Sequence, residues 1–228
     1  MPPLRDAIRY PAKRVLLQRT RLAYVHLLNL LTDAKRDRAA RVSGYVAVWM
    51  PEELLVLFLE EGEVVNATSS ADGVGFQPIA ISDAISRVPT AAEYGSICFH
   101  EATNEQLDLM FASQTGRSVA FPRELTPTDP TMLLAYLDGM LTDGALEIVA
   151  DGTVNYATLG GGKPTHGFFV DPRAADVTAQ IRHLLEGRTL ATPPIVRLWP
   201  TPDALPVSYT HLRAHETKAN LVCRLLLE

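Results

Sequence analysis

The chain repeats one pattern of glycines and apolar residues at a separation of 100 positions. The matched positions are predicted turn glycines and alternate strand residues, and each of these positions has a defined structural role. They are Gly44 with Gly144, Val46 with Leu146, Val48 with Ile148, Leu59 with Leu159, Gly62 with Gly162, and Ala67 with Gly167. Chance agreement is the alternative, because glycine and leucine are common. Because positions with the same structural role match at a fixed spacing, the pattern favours a duplicated unit.

Each half has the pattern of a helix, three antiparallel strands and a second helix. The predicted strands are 44–49, 53–59 and 64–68 in the first unit (residues 24–90), and 144–149, 153–159 and 166–170 in the second, more divergent unit (residues 131–190). A three-stranded sheet is only marginally stable alone. The prediction is an α+β fold in which two similar units share a core or a sheet.

Three segments lie outside the two units. Residues 1–23 are predicted as a basic N-terminal helix, within a segment from about Pro11 to Arg38 that is predicted to be helical. The leucines that recur near helical spacing there, with basic residues between them, are Leu17, Leu27, Leu28, Leu30 and Leu31. Residues 91–130 are predicted as a connecting strand and helix followed by a proline-rich linker, with Thr103 or Asn104 as the helix cap. Residues 191–206 are predicted as a proline-rich tail.

Charge is distributed unevenly. Residues 1–41 carry ten Lys/Arg and three Asp/Glu, whereas the other 187 residues have a net charge of −12. A basic segment can bind nucleic acid or an acidic membrane surface, or it can be the solvated face of a helix packed on an acidic body. Only Tyr10 and Tyr24 stand among these cations, whereas a single-strand binder needs a series of aromatic residues on which successive bases stack. Nucleic acid is therefore not the expected partner.

Residues 207–228 resemble a translated sequencing-library adapter. The peptide begins VSYTHLRAHET, which matches a transposon end with its read primer, and closes with LVCRLLLE, which is similar to a flow-cell adapter. Three residues stand between them, where a sample index lies. A short natural amphipathic helix is the alternative. The resemblance implies that the native sequence breaks off near Pro206, so residues 207–228 are not expected to belong to the fold.

One further pattern in the first unit is a helix, a strand that opens on glycine, a hairpin and a second helix. The residues that carry it are Gly44, Val46, Val48, Leu57, Leu59, Gly62, Val64 and Ala67. In this pattern the first unit resembles the PATAN module family. The resemblance covers about residues 24–88, and a looser one lies in the second unit, where Pro164 replaces an apolar strand residue. Family membership implies a non-enzymatic bacterial adaptor or regulatory module, linked to signal transduction or motility systems.

Sequence motifs give no catalytic, cofactor-binding or metal site. Residues 160–163 read GGGK, but a phosphate-binding loop needs glycine where Ala157 stands and Ser or Thr where Pro164 stands. A hairpin turn is predicted there. The candidate carboxylates are Asp143, Asp151, Glu147 and Glu101, and three of these are interpreted as acids at turns or on outward-facing strand positions.

Cys98 and His100 lie two residues apart on a predicted strand, which places them on one face. A cysteine–histidine dyad is one interpretation, and a buried structural cysteine is the commoner one. Cys98 is the only cysteine outside residues 207–228, so a reducing cytoplasm is the expected location. No run of about 18 apolar residues is present, so no membrane span is expected.

Aromatic, methionine and arginine residues are the best candidates for an interaction surface, because interface centres are enriched in them. They are Trp49, Met50, Arg19, Arg21 and Trp199. The functional hypothesis is a non-catalytic adaptor or regulatory protein with a protein partner. The alternative is a sensor that binds a small molecule or nucleotide between the two units.

The adapter resemblance is testable at the gene. Reading the genomic locus past the Pro206 codon should give codons unrelated to residues 207–228. A genomic sequence that encodes VSYTHLRAHET in frame would contradict the interpretation.

Overall fold

The computed structural model describes residues 8–36, 41–71, 73, 75–89, 94–140, 143–186 and 193–200. Within them the chain forms ten strands and five helices, which confirms the α+β class. The elements in chain order are β1 (Arg14–Arg21), α1 (Leu27–Arg36), β2 (Gly44–Trp49), β3 (Leu54–Glu60), β4 (Glu63–Ser70), β5 (Gln77–Pro78), α2 (Ile81–Arg87), β6 (Ser96–Glu101), α3 (Asn104–Thr115), α4 (Pro130–Met140), β7 (Gly144–Ala150), β8 (Thr153–Gly160), β9 (Lys163–Phe168), α5 (Val177–Leu185) and β10 (Ile195–Pro200). Residues 207–228, which carry the adapter resemblance, lie outside the described residues.

The strands form two antiparallel sheets. The first sheet has the order β1-β6-β2-β3-β4-β5, and the second has the order β10-β7-β8-β9. All residues of β2, and all of β3 except Glu60, are buried on both faces. A continuous apolar run suits such a central strand, because neither face meets water.

Helices cover the outer face of each sheet, and the two inner faces share one core. On the first sheet, α1 and α2 contribute Leu27, Leu31 and Ala84 to the outer core. On the second sheet, α4 and α5 contribute residues such as Leu133 and Ile181. The shared inner core takes side chains from both sheets, from α3 and from the N-terminal segment, residues 8–12. Both inner faces are therefore removed from water by the same cluster.

The two halves have matching local geometry. Leaving out β1 and β5, the first sheet reads β6-β2-β3-β4, the same order as β10-β7-β8-β9. Each middle hairpin carries one register shift, after Phe58 in β3 and after Thr158 in β8. In the first half, the Ser43 hydroxyl, one residue before β2, accepts a hydrogen bond from the Glu61 N–H in the β3–β4 turn. In the second half, the Asp143 carboxylate, one residue before β7, accepts a hydrogen bond from the Gly161 N–H in the β8–β9 turn. These features are what a duplicated unit predicts, and duplication itself stays a prediction.

The basic N-terminal helix predicted over residues 1–23 is wrong for the residues described. Arg14–Arg21 is a strand whose Arg14 pairs with Glu101 and whose Arg21 pairs with Ser96 of β6. Only a short 3-10 turn follows, over Leu22–Tyr24, before α1 begins at Leu27. Leucine spacing fits a helix as well as a strand over so few residues, and pairing with β6 decides the conformation.

The predicted unit boundaries also need correction. β6 lies outside residues 24–90 and β10 outside residues 131–190, yet each is a full member of its sheet beside the first strand of the unit. Residues 195–200, within the predicted tail, pair with β7 from Ile195↔Val149 to Pro200↔Gly144. Pro193 and Pro194 precede this strand and Pro200 is its last residue, and an edge strand tolerates prolines at its ends. Helix α3 is not a linker element, because it packs between the sheets.

Several local predictions are confirmed. Thr103 caps α3 through a bond from the Gln106 N–H to its hydroxyl, and Gly116 follows the last turn. The GGGK stretch is a hairpin turn between β8 and β9, with Gly161 and Gly162 at positive φ. No helix among the described residues is long and apolar enough to cross a membrane.

Gly62 and Gly162 are predicted to be the least replaceable turn residues. Their φ values are +81° and +80°, and an added Cβ would lie 2.5 Å from the Ala34 carbonyl oxygen of α1 and 2.2 Å from the Leu137 carbonyl oxygen of α4. Each Gly→Ala variant should lose ~2 kcal/mol of stability or more in urea denaturation. Gly139→Ala is the matched control, because the added Cβ meets nothing within 4 Å in α4. It should gain ~0.5 kcal/mol, and equal losses in all three variants would contradict the packing account.

Candidate functional site

A cleft of about 440 Å³ opens along the inner face of the first sheet. Its floor comes from β1, β6 and β2, and its walls come from the N-terminal segment and from the loop after β9. The lining residues are Ile8, Arg9, Tyr10, Ala12, Val15, Arg19, Tyr45, Trp49, Cys98, His100 and Val170. This volume lies in the range of small-molecule pockets.

Strand register assembles the floor from residues far apart in the chain. His100 on β6 pairs with Tyr45 on β2 and with Val15 on β1, so these three stand in one row across the sheet. Cys98 lies two residues along β6 and pairs with Ala47. Because alternate strand residues share a face, Cys98 and His100 both point into the cleft.

The N-terminal segment is fixed to both sheets. The Tyr45 hydroxyl lies 3.1 Å from the carbonyl oxygens of Tyr10 and Pro11, and the Gln106 side-chain amide donates to the Pro11 oxygen at 2.6 Å. On the other side, the Arg9 N–H donates to Gly152 O at 2.8 Å, and Arg9 O accepts from the Val154 N–H at 2.9 Å. This short segment therefore ties the first sheet and α3 to the β7–β8 turn.

Arg19 and Trp49 form the polar end of the cleft. The Arg19 guanidinium carbon lies 4.1 Å from the centroid of the Trp49 ring. The Arg19 Nε–H donates to the Ser96 hydroxyl at 2.7 Å, which fixes the guanidinium over the indole. Trp49 is buried, whereas Arg19 is exposed at the mouth. A cation held against an aromatic face in this way is preorganised for contact with an anion.

The lining is apolar with positive charge at its mouth. Arg9 and Arg19 are its two permanently charged residues, and no acidic residue is among those described as lining it. Arg9 pairs with Asp171 at 3.4 Å, and both side chains are about half exposed (58% and 49%), so this pair is screened by solvent. The electrostatics of the cleft therefore favour an anionic group over a cationic one.

The titratable groups of the cleft are held in their neutral forms. Burial raises the pKa of the Cys98 thiol to about 11. Burial also lowers the pKa of His100, and its Nδ1 lies 2.7 Å from the Tyr45 hydroxyl. The thiolate is the reactive form of cysteine, and an imidazole whose pKa is lowered is a weak acceptor for the proton of a thiol whose pKa is raised, so the two are a poor nucleophile and base at neutral pH.

A second, smaller cavity of about 30 Å³ lies behind Tyr10, between the sheets. It is lined by Ile8, Tyr10, Ser113, Gln114, Glu147, Tyr156 and Arg197, among others. That volume suits one or two water molecules and is too small for a larger ligand. Ile8 and Tyr10 line both spaces, so the N-terminal segment divides the open cleft from this inner cavity.

Glu147 is the buried carboxylate of the inner cavity. It is 4% exposed, and Arg197 on the neighbouring strand β10 donates to it at 3.0 Å. Burial raises the pKa of Glu147, and the Arg197 charge opposes that rise. The interpretation of most candidate carboxylates as acids at turns or on outward-facing strand positions does not hold for Glu147. Strand β7 is covered on both faces, so Leu146 and Ile148 face the outer core while Glu147 faces the inner one.

The structure brings together two of the five residues predicted for an interaction surface. Arg19 and Trp49 meet in the cleft, although both Trp49 and Trp199 are buried at 6% exposure. Trp199 lies on β10 opposite Ala145, beside Gly116 at the end of α3. Met50 packs on the outer core, and Arg21 lies exposed at the end of β1.

Sequence reasoning missed Tyr10, Val15 and Tyr45 as cleft residues. Tyr45 and Val15 are brought beside His100 only by strand pairing across more than 50 positions. The sequence did contain one signal for the cleft. Cys98 and His100 lie two residues apart on a predicted strand and so share one face, and that strand, β6, forms part of the cleft floor. Among the described residues, no group of three or more His, Cys, Asp or Glu side chains is placed to hold a metal ion.

Comparisons of the chain with models of protein families, with curated proteins and with solved structures find no match. The PATAN resemblance therefore stays a prediction.

Removing Arg197 should expose the cost of burying Glu147. Arg197→Met is predicted to lose about 2 kcal/mol at pH 7 in urea denaturation, less than the ~3–5 kcal/mol of a fully buried pair because Arg197 is 28% exposed. Glu147 has a higher pKa in the folded than in the unfolded chain, so its ionisation costs stability as pH rises above about 4.3. The loss should therefore shrink towards pH 4.5.

The double variant Glu147→Gln, Arg197→Met is the control for this prediction. It has no carboxylate to ionise at that site, so its stability relative to the parent should depend less on pH than that of Arg197→Met. A loss in Arg197→Met that is the same at pH 4.5 and pH 7 would contradict the role assigned to Glu147.

Proposed function

We propose that this protein is a non-catalytic regulatory module that binds a small, mostly apolar anion in the cleft between β1, β6, β2 and the N-terminal segment. The observation that supports this most is the cleft of about 440 Å³ with Arg19 held over Trp49 at its mouth. The alternative that the sequence left open is a sensor that binds a small molecule or nucleotide between the two units. The cleft lies elsewhere, on the first sheet beside the N-terminal segment, but its geometry likewise favours ligand binding over an adaptor that acts only through its outer surface.

The class of ligand follows from the lining. Ile8, Val15, Trp49 and Val170 offer apolar contact area, which favours a hydrocarbon or aromatic body. Arg19 and Arg9 stand at the mouth, where a carboxylate, sulfonate or phosphate of the ligand would lie. An amphipathic anion satisfies both halves of the cleft.

A binding role suits the chemistry of the cleft better than a catalytic one. The Cys98 thiol has a pKa near 11, and His100 is held neutral by burial. The buried carboxylate, Glu147, lies behind Tyr10 and is paired with Arg197. A nucleophile needs an ionised thiol or an adjacent base poised near neutral pH.

The regulatory part of the proposal comes from the PATAN resemblance, which implies an adaptor with a protein partner in a bacterial signalling or motility system. A buried, unpaired thiol such as Cys98 is compatible with a reducing cytoplasm, which is the proposed location.

Matched ligand pairs test the proposal by thermal shift. Decanoate, 4-phenylbutyrate and naphthalene-2-sulfonate should each raise the melting temperature of the full chain more than decanol, 4-phenylbutanamide and naphthalene-2-sulfonamide. A ligand at 100 times its Kd stabilises a protein by ~2.7 kcal/mol, which corresponds to about 5–10 °C for a chain of this size.

Two arginine variants separate the cleft from general surface charge. Arg19→Gln should weaken anion binding by about tenfold and reduce the preference for the anion of each pair. Arg21→Gln, two residues along the same strand and outside the lining, should keep both. Equal effects of the two variants, or no shift with any of the six compounds, would overturn the proposal.

A further inference from the structure

We infer that His100 sets the ligand specificity of the cleft: its Nε2 accepts a hydrogen bond from a hydroxyl group that the bound anion carries at the end opposite its charge. The inference rests on the proposed function, and it narrows the ligand from an amphipathic anion to one that bears an alcohol or a phenol. The acceptor is defined by the hydrogen bonds of Tyr45, which stands beside His100 in the cleft floor.

The first argument is the number of protons around the Tyr45 hydroxyl. Three groups surround its oxygen: His100 Nδ1 at 2.7 Å, and the carbonyl oxygens of Tyr10 and Pro11 at 3.1 Å each. A phenol has one proton to donate, and a carbonyl oxygen has none. If Tyr45 donated to His100, the buried Tyr10 oxygen would have no donor among the described residues. The Tyr45 proton therefore points at the carbonyl oxygens, and His100 donates its Nδ1 proton to the Tyr45 oxygen.

The second argument is what this leaves on the other ring nitrogen. A neutral imidazole that is protonated on Nδ1 carries a lone pair on Nε2. Burial lowers the pKa of His100, which keeps the ring neutral at pH 7. Within the described part of the chain, His100 makes its one hydrogen bond to Tyr45, and Nε2 is not sealed from solvent. The cleft therefore contains a fixed acceptor that is available to a ligand.

The third argument is the charge of the cleft, which selects the kind of donor. An ammonium group could also donate to Nε2, but Arg9 and Arg19 would repel it. No acidic side chain is among the described lining residues to offset that repulsion. A hydroxyl group donates without bringing a charge, so an alcohol or phenol is favoured over an amine.

Strand geometry sets the distance between the charge and the hydroxyl of the ligand. Arg19 donates to Ser96, which pairs with Trp49. His100 lies four residues further along β6 and pairs with Tyr45. Four residues of antiparallel strand span roughly 13 Å. The anion and the hydroxyl thus belong at opposite ends of an extended ligand, as in a medium-chain ω-hydroxy acid.

Titration calorimetry on the full chain tests the inference with three acids that share one alkyl chain. They are 10-hydroxydecanoate, undecanoate, in which a methyl group replaces the hydroxyl, and 10-methoxydecanoate, which keeps the oxygen but cannot donate. The hydroxy acid should bind more tightly than the methoxy acid, because Nε2 only accepts. Equal affinities of these two, or tighter binding of the methoxy acid, would overturn the inference.

A pair of histidine variants assigns the preference to Nε2. His100→Asn keeps an amide near the position of Nδ1 and places nothing at Nε2. The ratio of the undecanoate Kd to the 10-hydroxydecanoate Kd should fall by roughly fivefold in this variant, the loss of one neutral hydrogen bond. The ratio cancels the different hydration of the two acids. His166→Asn is the matched control, because His166 is exposed on β9 outside the cleft, and its ratio should equal that of the parent.

Nuclear magnetic resonance measures the tautomer without any ligand. Long-range proton–nitrogen correlations of the ¹⁵N-labelled chain distinguish a protonated ring nitrogen from an unprotonated one. The His100 signals are assigned by their loss in His100→Asn, and that variant is checked for folding by circular dichroism. The expected spectrum has the proton on Nδ1, and a proton on Nε2 would overturn the inference.

The outcomes separate this inference from the proposed function. If undecanoate binds and the Kd ratio is the same in the parent and His100→Asn, the cleft binds anions and the role of His100 is wrong. If none of the three acids binds, the proposed function is wrong and the inference falls with it. A ratio that falls in His100→Asn alone, together with a proton on Nδ1, supports both.

Discussion

The structure depends on burying the inner faces of two sheets against one another. β2 and β3 present apolar side chains on both faces, so helices on one side alone would leave the other face in water. The second sheet, α3 and the N-terminal segment fill that inner side together. The Tyr45 hydroxyl and the Gln106 amide fix the segment by its carbonyl oxygens, so its polar backbone is satisfied in an apolar interior.

A cleft arises because two different elements share this inner face. Helix α3 packs against β2, β3, β4 and β5, whereas the segment runs over the β6 and β1 side. The segment is narrower than a helix, and the space left beside it is lined by Val15, Trp49 and His100.

Much of the fold was readable from local chemistry. The apolar run of β3, the turn glycines at 62 and 162 and the Thr103 cap are signals set by neighbouring residues, and each marks its element correctly. β1 was not readable in this way, because its leucines also fit a helix and only pairing with β6 selects the strand. β10 was hidden by the prolines around it.

Two residues of the candidate site were singled out from the sequence, but their arrangement in space was not predicted. Arg19 and Trp49 were both singled out by residue type, but as exposed contacts for a protein. Their stacking depends on β6 lying between β1 and β2, and the strand order of a sheet is not encoded within any short stretch of sequence. The inward position of Glu147 was missed for the same reason, since it is buried only because the two inner faces meet.

The central claim is that the space beside Trp49 binds an amphipathic anion, and Trp49 can report on it directly. The chain has two tryptophans, so Trp199→Phe leaves Trp49 as the single emitter. Titration of that variant with decanoate, which does not absorb near the tryptophan band, should shift the Trp49 emission along a saturable curve. Adding Arg19→Gln should move the midpoint to higher concentration by about tenfold. An emission spectrum that stays constant through the titration, in a variant whose circular dichroism shows it to be folded, would contradict the account.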